Sequence, residues 1–113
     1  MFQKVIIVGN LGNDPEQRFT PKGDPVTSFS VAVNDRDETT WFRVSVWGAQ
    51  AEPCKQYLAK GRPVLVEGRL NPDDNGNPRT FQRKDGTTGA SYELTASNVR
   101  FLGKAEADQN VPF

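Results

Sequence analysis

The chain contains no histidine. That removes the side chain most used as a general base near neutral pH, a common metal ligand and the usual pH switch. A single cysteine, Cys54, excludes an intrachain disulfide and any zinc site built on several thiolates. No apolar run approaches the roughly 20 residues that cross a bilayer as a helix. The opening residues Met1-Phe-Gln-Lys4 lead straight into a strand-like segment and do not read as a signal peptide, so a soluble cytoplasmic protein is the expectation. Net charge is also missing, because 14 Lys plus Arg face 14 Asp plus Glu. Setting aside Lys104, Glu106 and Asp108 near the C-terminus leaves 13 basic and 12 acidic residues, which is still close to neutral. Attraction for a polyanion would therefore have to come from local placement of charge, or from something other than charge.

What is present is turn chemistry and short strand patterns. The 113 residues make one domain with a modest core, and ten Gly with eight Pro favour many short strands over long helices. Lys4-Val-Ile-Ile-Val-Gly9 reads as a buried strand, followed by a turn over Asn10–Pro15. Gln17–Thr20 is a candidate short strand. In Val26–Val33, Phe29, Val31 and Val33 alternate with small polar residues, the mark of a half-buried strand. A charged connection over 34–38 leads to a further strand at Thr39–Trp47. Residues 49–60 are the one helix candidate, with Ala51, Cys54, Tyr57 and Leu58 on one face, Pro53 near its start and Gly61 as its C-terminal cap. Val64–Leu70 is a strand, 71–78 an exposed loop, and Arg79–Lys84 and Ala90–Ala96 are arms flanking Asp85-Gly86, extended by Val99–Leu102. A helix after the first group of strands matches the element order of an OB-fold barrel, while SH3-like and sandwich layouts stay open on this reading.

The segment Thr40-Trp-Phe-Arg-Val-Ser-Val-Trp47 is the most informative. Side chains alternate between faces, so Phe42, Val44 and Val46 form a core stripe, and Trp41, Arg43, Ser45 and Trp47 share the other face. Both tryptophans of the protein thus sit on a polar face with an arginine between them. Such rings stack bases, and the guanidinium can meet a phosphate. The competing readings are a subunit interface and a cover over the barrel mouth. Arg79-Thr-Phe-Gln-Arg-Lys84 is a second candidate, a basic arm carrying Phe81, Arg79 and Arg83; its plain reading is a solvated hairpin edge. Lys4, Arg18, Arg62 and Arg69 are further candidate phosphate contacts. Asp73-Asp-Asn-Gly-Asn77 lacks the glycine position and closing glutamate of a calcium loop and reads as a turn. Cys54 reads as core. No nucleophile stands beside a base and no Gly-rich loop cradles a phosphate, so neither catalysis nor a cofactor or metal is expected. Residues 104–113 read as a short acidic tail with an apolar tip, either a featureless terminus or one of the kind that seats a Phe in a partner's pocket.

The order and spacing of several stretches resemble the bacterial single-stranded DNA-binding protein family. They are Lys4-Val-Ile-Ile-Val-Gly-Asn-Leu-Gly-Asn-Asp-Pro-Glu16, Arg18-Phe-Thr20, Val31-Ala-Val33, Thr40-Trp-Phe-Arg-Val44, Trp47-Gly48, Tyr57-Leu-Ala-Lys-Gly61 and Val66-Glu-Gly-Arg-Leu70. The resemblance covers most of residues 2–102. It implies an all-β OB-fold, a five-stranded barrel with one short helix and extended hairpin arms, over residues 1–103. It also implies assembly as a homotetramer and the coating of single-stranded DNA in replication, recombination and repair. The family's base-stacking positions fall on Trp41, Trp47 and Phe81, and its phosphate-facing positions on Lys4, Arg18, Arg43, Lys60 and Arg79; Arg69 and Arg83 join these as basic neighbours. Residues 104–113, with Asp108, Val111, Pro112 and Phe113, match the family's partner-binding tip for replication and repair proteins. Three departures stand out. Asn34-Asp-Arg36 replaces a region where the family often has another Trp, Phe42 replaces the usual His, and the long linker before the tail is essentially absent. A primosome-type or structural OB module, with its tryptophans in a protein interface, and RNA binding are the alternatives.

Overall fold

The structure, a computed structural model, describes residues 1–103. The expectations for Asp108, Val111, Pro112 and Phe113 lie outside the described residues. Among the described residues seven strands run in chain order as β1 (Val5–Leu11), β2 (Glu16–Phe19), β3 (Pro25–Asp35), β4 (Glu38–Trp47), β5 (Pro63–Leu70), β6 (Arg79–Gln82) and β7 (Thr88–Phe101). A 3₁₀ turn over Gly48–Gln50 and helix α1 (Ala51–Tyr57) separate β4 from β5.

β1, β3, β4, β5 and β7 close into a barrel. β1 pairs antiparallel with β5, and β5 pairs antiparallel with β7. β7 runs parallel to β4, from Phe42↔Tyr92 to Val46↔Ala96. β4 returns along β3 through the connection at Arg36-Asp37, where Arg36 takes a positive φ of 60°. The circle closes through Asn10↔Ala32 and Leu11↔Val31 between β1 and β3. A five-stranded barrel with this order and a helix between its third and fourth strands is an OB-fold. β6 lies outside the barrel and folds back on the N-terminal half of β7 as a protruding hairpin arm.

The period-two pattern explains the core. Phe29 and Val31 of β3, Val44 and Val46 of β4, Val64 and Val66 of β5 and Leu94 of β7 all point inward and are fully buried. α1 covers one end of the barrel with Ala51, Cys54 and the following Leu58. Buried Thr27 fastens this plug, donating from Oγ1 to the Ala51 carbonyl at 2.6 Å. Burial pushes the Cys54 thiol up to about 11, so it stays protonated and packs as a small apolar group.

The structure corrects several expectations. β1 continues through Asn10 and Leu11, because those residues close the barrel against β3. The helix is Ala51–Tyr57, shorter than 49–60, because Leu58 is already extended as its side chain turns into the core. Tyr57 is therefore exposed instead of sharing the buried face, and its ring lies 6.1 Å from that of Phe101. Gly61 does not cap the helix; at φ 91° it turns the chain into β5 and donates its N–H to the Leu11 carbonyl. The second arm, expected at Ala90–Ala96 and extended by Val99–Leu102, is one strand, β7, that starts two residues earlier at Thr88 and ends at Phe101.

Candidate nucleic-acid interface

Residues opposite one another in neighbouring strands share a face, so the register maps the outer surface of the barrel. On β4 the outward residues are Trp41, Arg43, Ser45 and Trp47. Their β3 partners are Ala32, Ser30, Ser28 and Val26, a row of small or short side chains that leaves the large rings standing free. On the other side, β7 places Glu93 beside Arg43 and Thr95 beside Ser45. β6 then sets Arg79 opposite Ser91 and Phe81 opposite Gly89, on this same outward face. One surface thus carries Trp41, Arg43 and Trp47 from one strand and Arg79 and Phe81 from another, some 40 residues on.

Between the Trp41 end of β4 and the β6–β7 arm lies an open groove of about 490 Å³ lined by Ser30, Trp41, Phe42, Arg43, Phe81, Ala90, Ser91 and Glu93. Trp41 is 53% exposed and Phe81 49%, so each ring offers about half its surface to a ligand. Trp41 leans over Gly12, where an added methyl would overlap the indole. The loop carrying Gly12 is tied to β3, because Gly12 donates its N–H to the Ser30 carbonyl at 2.9 Å and Ser30 donates its own to Asn13 Oδ1 at 2.9 Å. Phe81 lies against Gly89 and Arg83, whose guanidinium carbon is 5.5 Å from the ring centroid. Arg83 also donates to the Thr88 carbonyl at 3.0 Å, which holds the arm's turn. At that turn Asp85 accepts from the N–H and hydroxyl of Thr87, and these bonds hold its carboxyl below its usual range.

The sequence-predicted residues divide accordingly. Trp41, Arg43 and Phe81 meet in the groove. Trp47 stands on the same face but about 20 Å along β4, at the usual strand rise over six residues. Its β3 neighbour Val26 is also the partner of Arg18 on β2, so Arg18 belongs to the Trp47 end. Arg18 is 3.6 Å from Glu16 in a largely exposed pair of little energetic weight. Arg79 donates from Nε to the Asn71 carbonyl at 3.1 Å and lines an adjoining cleft with Leu70 and Tyr92. Arg69 sits opposite Thr95 and forms a separate concavity with Lys4 and Phe2 beside the β-bulge at Gly68. Lys60 lies in the turn after α1, where its N–H donates to Asp14 Oδ1 at 2.9 Å, and Arg62 is half-buried in the same turn; neither lines the groove. Sequence reasoning missed Gly12, Ser30, Ala90, Ser91 and Glu93, and it assigned Phe42 to the core stripe, whereas Phe42 is only half-buried and also lines the groove. Only strand register reveals them, although Glu93 was visible as an isolated acid within a strand pattern.

Lys4 is already engaged, with Nζ 2.8 Å from Glu67 Oε2. That hydrogen bond, helped by one from Asn98, holds the Glu67 carboxyl below its ordinary value of 4.5. A carboxyl depressed by folding stabilises the protein above the unfolded value, and that contribution disappears as pH falls through the folded value. Lys4→Met is expected to move the Glu67 midpoint up toward 4.5 and to make stability below pH 5 less dependent on pH. Carboxyl-detected NMR titration of both proteins checks this; an unchanged midpoint would show that Lys4 does not hold the charge.

Among the described residues no helix is long and apolar enough to cross a membrane, and no group of three or more His, Cys, Asp or Glu could hold a metal ion. Residues 2–102 match the model of the single-strand binding protein family. The chain is 34% identical to single-stranded DNA-binding protein 1 of Chlorobaculum tepidum, over 92% of this chain and 67% of that protein. It is 37% identical to the single-stranded DNA-binding protein of Thermotoga maritima, over 95% of this chain and 78% of that protein. For the single-stranded DNA-binding protein of Neisseria meningitidis serogroup A the identity is 38%, over 88% of this chain and 59% of that protein. With a match that spans nearly the whole barrel and arm, the chain belongs to the single-strand binding protein family.

Proposed function

We propose that this protein binds single-stranded DNA with little dependence on sequence, and acts by coating and protecting it. Bases stack on Trp41, Phe81 and Trp47, while Arg43 in the groove and Arg18, Lys60, Arg69, Arg79 and Arg83 beyond it meet the phosphates of a strand that runs past the groove. Lys4 contributes less, because Glu67 already neutralises it. The observation that carries the reading is the groove itself: two half-exposed rings from different strands flank an exposed arginine on one continuous face. Stacking needs no net charge, which reconciles the reading with a neutral chain.

In this reading the protein works as a homotetramer in the cytoplasm, associated with the nucleoid, in replication, recombination and repair. Asp108, Val111, Pro112 and Phe113 form the tip that recruits partner proteins.

Titration with a thymidine oligomer, followed by tryptophan fluorescence, tests the binding, with duplex DNA of equal length as control. Strong quenching by the single strand alone is expected. If neither DNA bound, the coating function would fail, and Trp41 and Trp47 would be better sought in a protein interface. A uridine oligomer of equal length binding as tightly would extend the ligand to RNA.

A further inference from the structure

Gly89 lies within β7, directly opposite Phe81 on the arm, and it is buried between two exposed neighbours, Thr88 and Ala90. Glycine weakens a strand interior, and there it marks a bulge, a bend or a close approach. Gly89 makes no bulge, because the register runs unbroken from Arg79↔Ser91 to Gln82↔Thr88, and its φ is not positive. Close approach is what remains. A Cβ on Gly89 would come within 2.6 Å of Phe81 Cζ and 2.7 Å of Arg83 Nη2. Phe81 thus reaches across bare backbone, the cover that an aromatic side chain gives to a glycine on the facing strand.

Arg83 closes the seat from the turn. Its Nη1 donates to the Thr88 carbonyl at 3.0 Å and to Thr87 Oγ1 at 3.3 Å, and its guanidinium carbon lies 5.5 Å from the Phe81 ring centroid. Those bonds use Nη1, which leaves the Nε and Nη2 donors for a phosphate. The half of Phe81 that Gly89 and Arg83 leave uncovered faces solvent. We propose that Gly89 is a positioning residue for single-strand binding: having no side chain, it lets Phe81 settle on β7 beside Arg83, so that the arm presents a stacking ring and a cation already in place. A ring ordered before the ligand arrives loses less freedom on binding. The inference rests on the single-strand reading of this surface and adds to it a residue that touches no base. Both obstacles to a Cβ are the far ends of side chains on an exposed arm, so they swing aside without moving the backbone. A methyl here therefore tips the ring while sparing the fold.

The test is a double-mutant cycle of Gly89→Ala and Phe81→Ala, with thymidine-oligomer affinity and Tm measured for each protein. Gly89→Ala alone is expected to weaken binding about tenfold, the size of one modest stacking contact, with Tm moved by no more than a few degrees. In the Phe81→Ala background the same change is expected to alter affinity by less than about threefold, because no ring is left to tip. A merely structural role would weaken binding equally in both backgrounds. A second measurement leaves Gly89 as it is: the NMR signals of its Hα protons, displaced by the current of the nearby ring, are expected to shift in Phe81→Ala. Wild-type affinity in Gly89→Ala, equal losses in the two backgrounds, or Gly89 Hα signals that Phe81→Ala leaves in place would each overturn the role of Gly89 and leave single-strand binding intact. If the wild type binds no oligomer at all, the proposed function falls and this inference with it.

Discussion

Trp41→Ala combined with Phe81→Ala is expected to weaken binding of a thymidine oligomer by about two to three orders of magnitude, from the loss of two stacking contacts of roughly 1–3 kcal/mol each. The pair shares one groove, so the effects of the two changes are not expected to add simply. Neither ring belongs to the barrel core: Trp41 is 53% exposed and Phe81 49% exposed. Thermal unfolding should accordingly move by no more than a few degrees, and the sizing profile should stay that of the wild type. Fluorescence anisotropy of a labelled oligomer gives the affinities, with scanning calorimetry and sizing alongside. Wild-type affinity in the double variant would remove the groove as the binding site. Broken assembly with intact binding would place the rings in an interface instead.

The second large effect is on the fold. Gly9→Ala is expected to destabilise the barrel by about 3 kcal/mol and to lower Tm by roughly 10–20 °C. A methyl at this position would run into the carbonyl oxygen of Ala32 and the side chain of Val31, just where β1 closes against β3. Two of the overlapped atoms are backbone, so relief requires pulling the closing strands apart. Gly12→Ala makes the same chemical change with a different outcome, because the obstacle there is the swinging indole of Trp41. It should lower DNA affinity more than stability. Calorimetry of both variants decides the matter; a Gly9→Ala protein melting within a degree or two of wild type would show that β1 and β3 do not approach this closely.

The elements most legible in the sequence were those whose pattern repeats within one strand. Alternation over Thr40–Trp47 separates Val44 and Val46, both fully buried, from Trp41, Arg43 and Trp47, all exposed, and the structure keeps that division. The loop at 71–78 is likewise local: Asp73 Oδ1 accepts the N–H groups of Asn75 and Asn77, which is ordinary turn chemistry for this residue. Tyr57 went wrong for an equally local reason. Helical spacing puts it beside Cys54 and Leu58, but the chain leaves the helix at Leu58, and only the need to bury that leucine decides where the helix stops.

By itself, then, the sequence determined the strand-rich class, the single helix, the faces of β4 and the two arms of aromatic and basic residues. Each follows from period-two or helical spacing, or from turn residues, over a few neighbours. The tertiary structure alone decided that Phe81 joins Trp41 and Arg43, that Glu93 shares their groove, that Lys4 is spent on Glu67, and that Gly9 and Gly12 are glycines for opposite reasons. Each of those depends on register between strands far apart in the chain. A shift of one residue along β7 would turn Glu93 and Ser91 to the other face, and no local pattern in the sequence carries that choice.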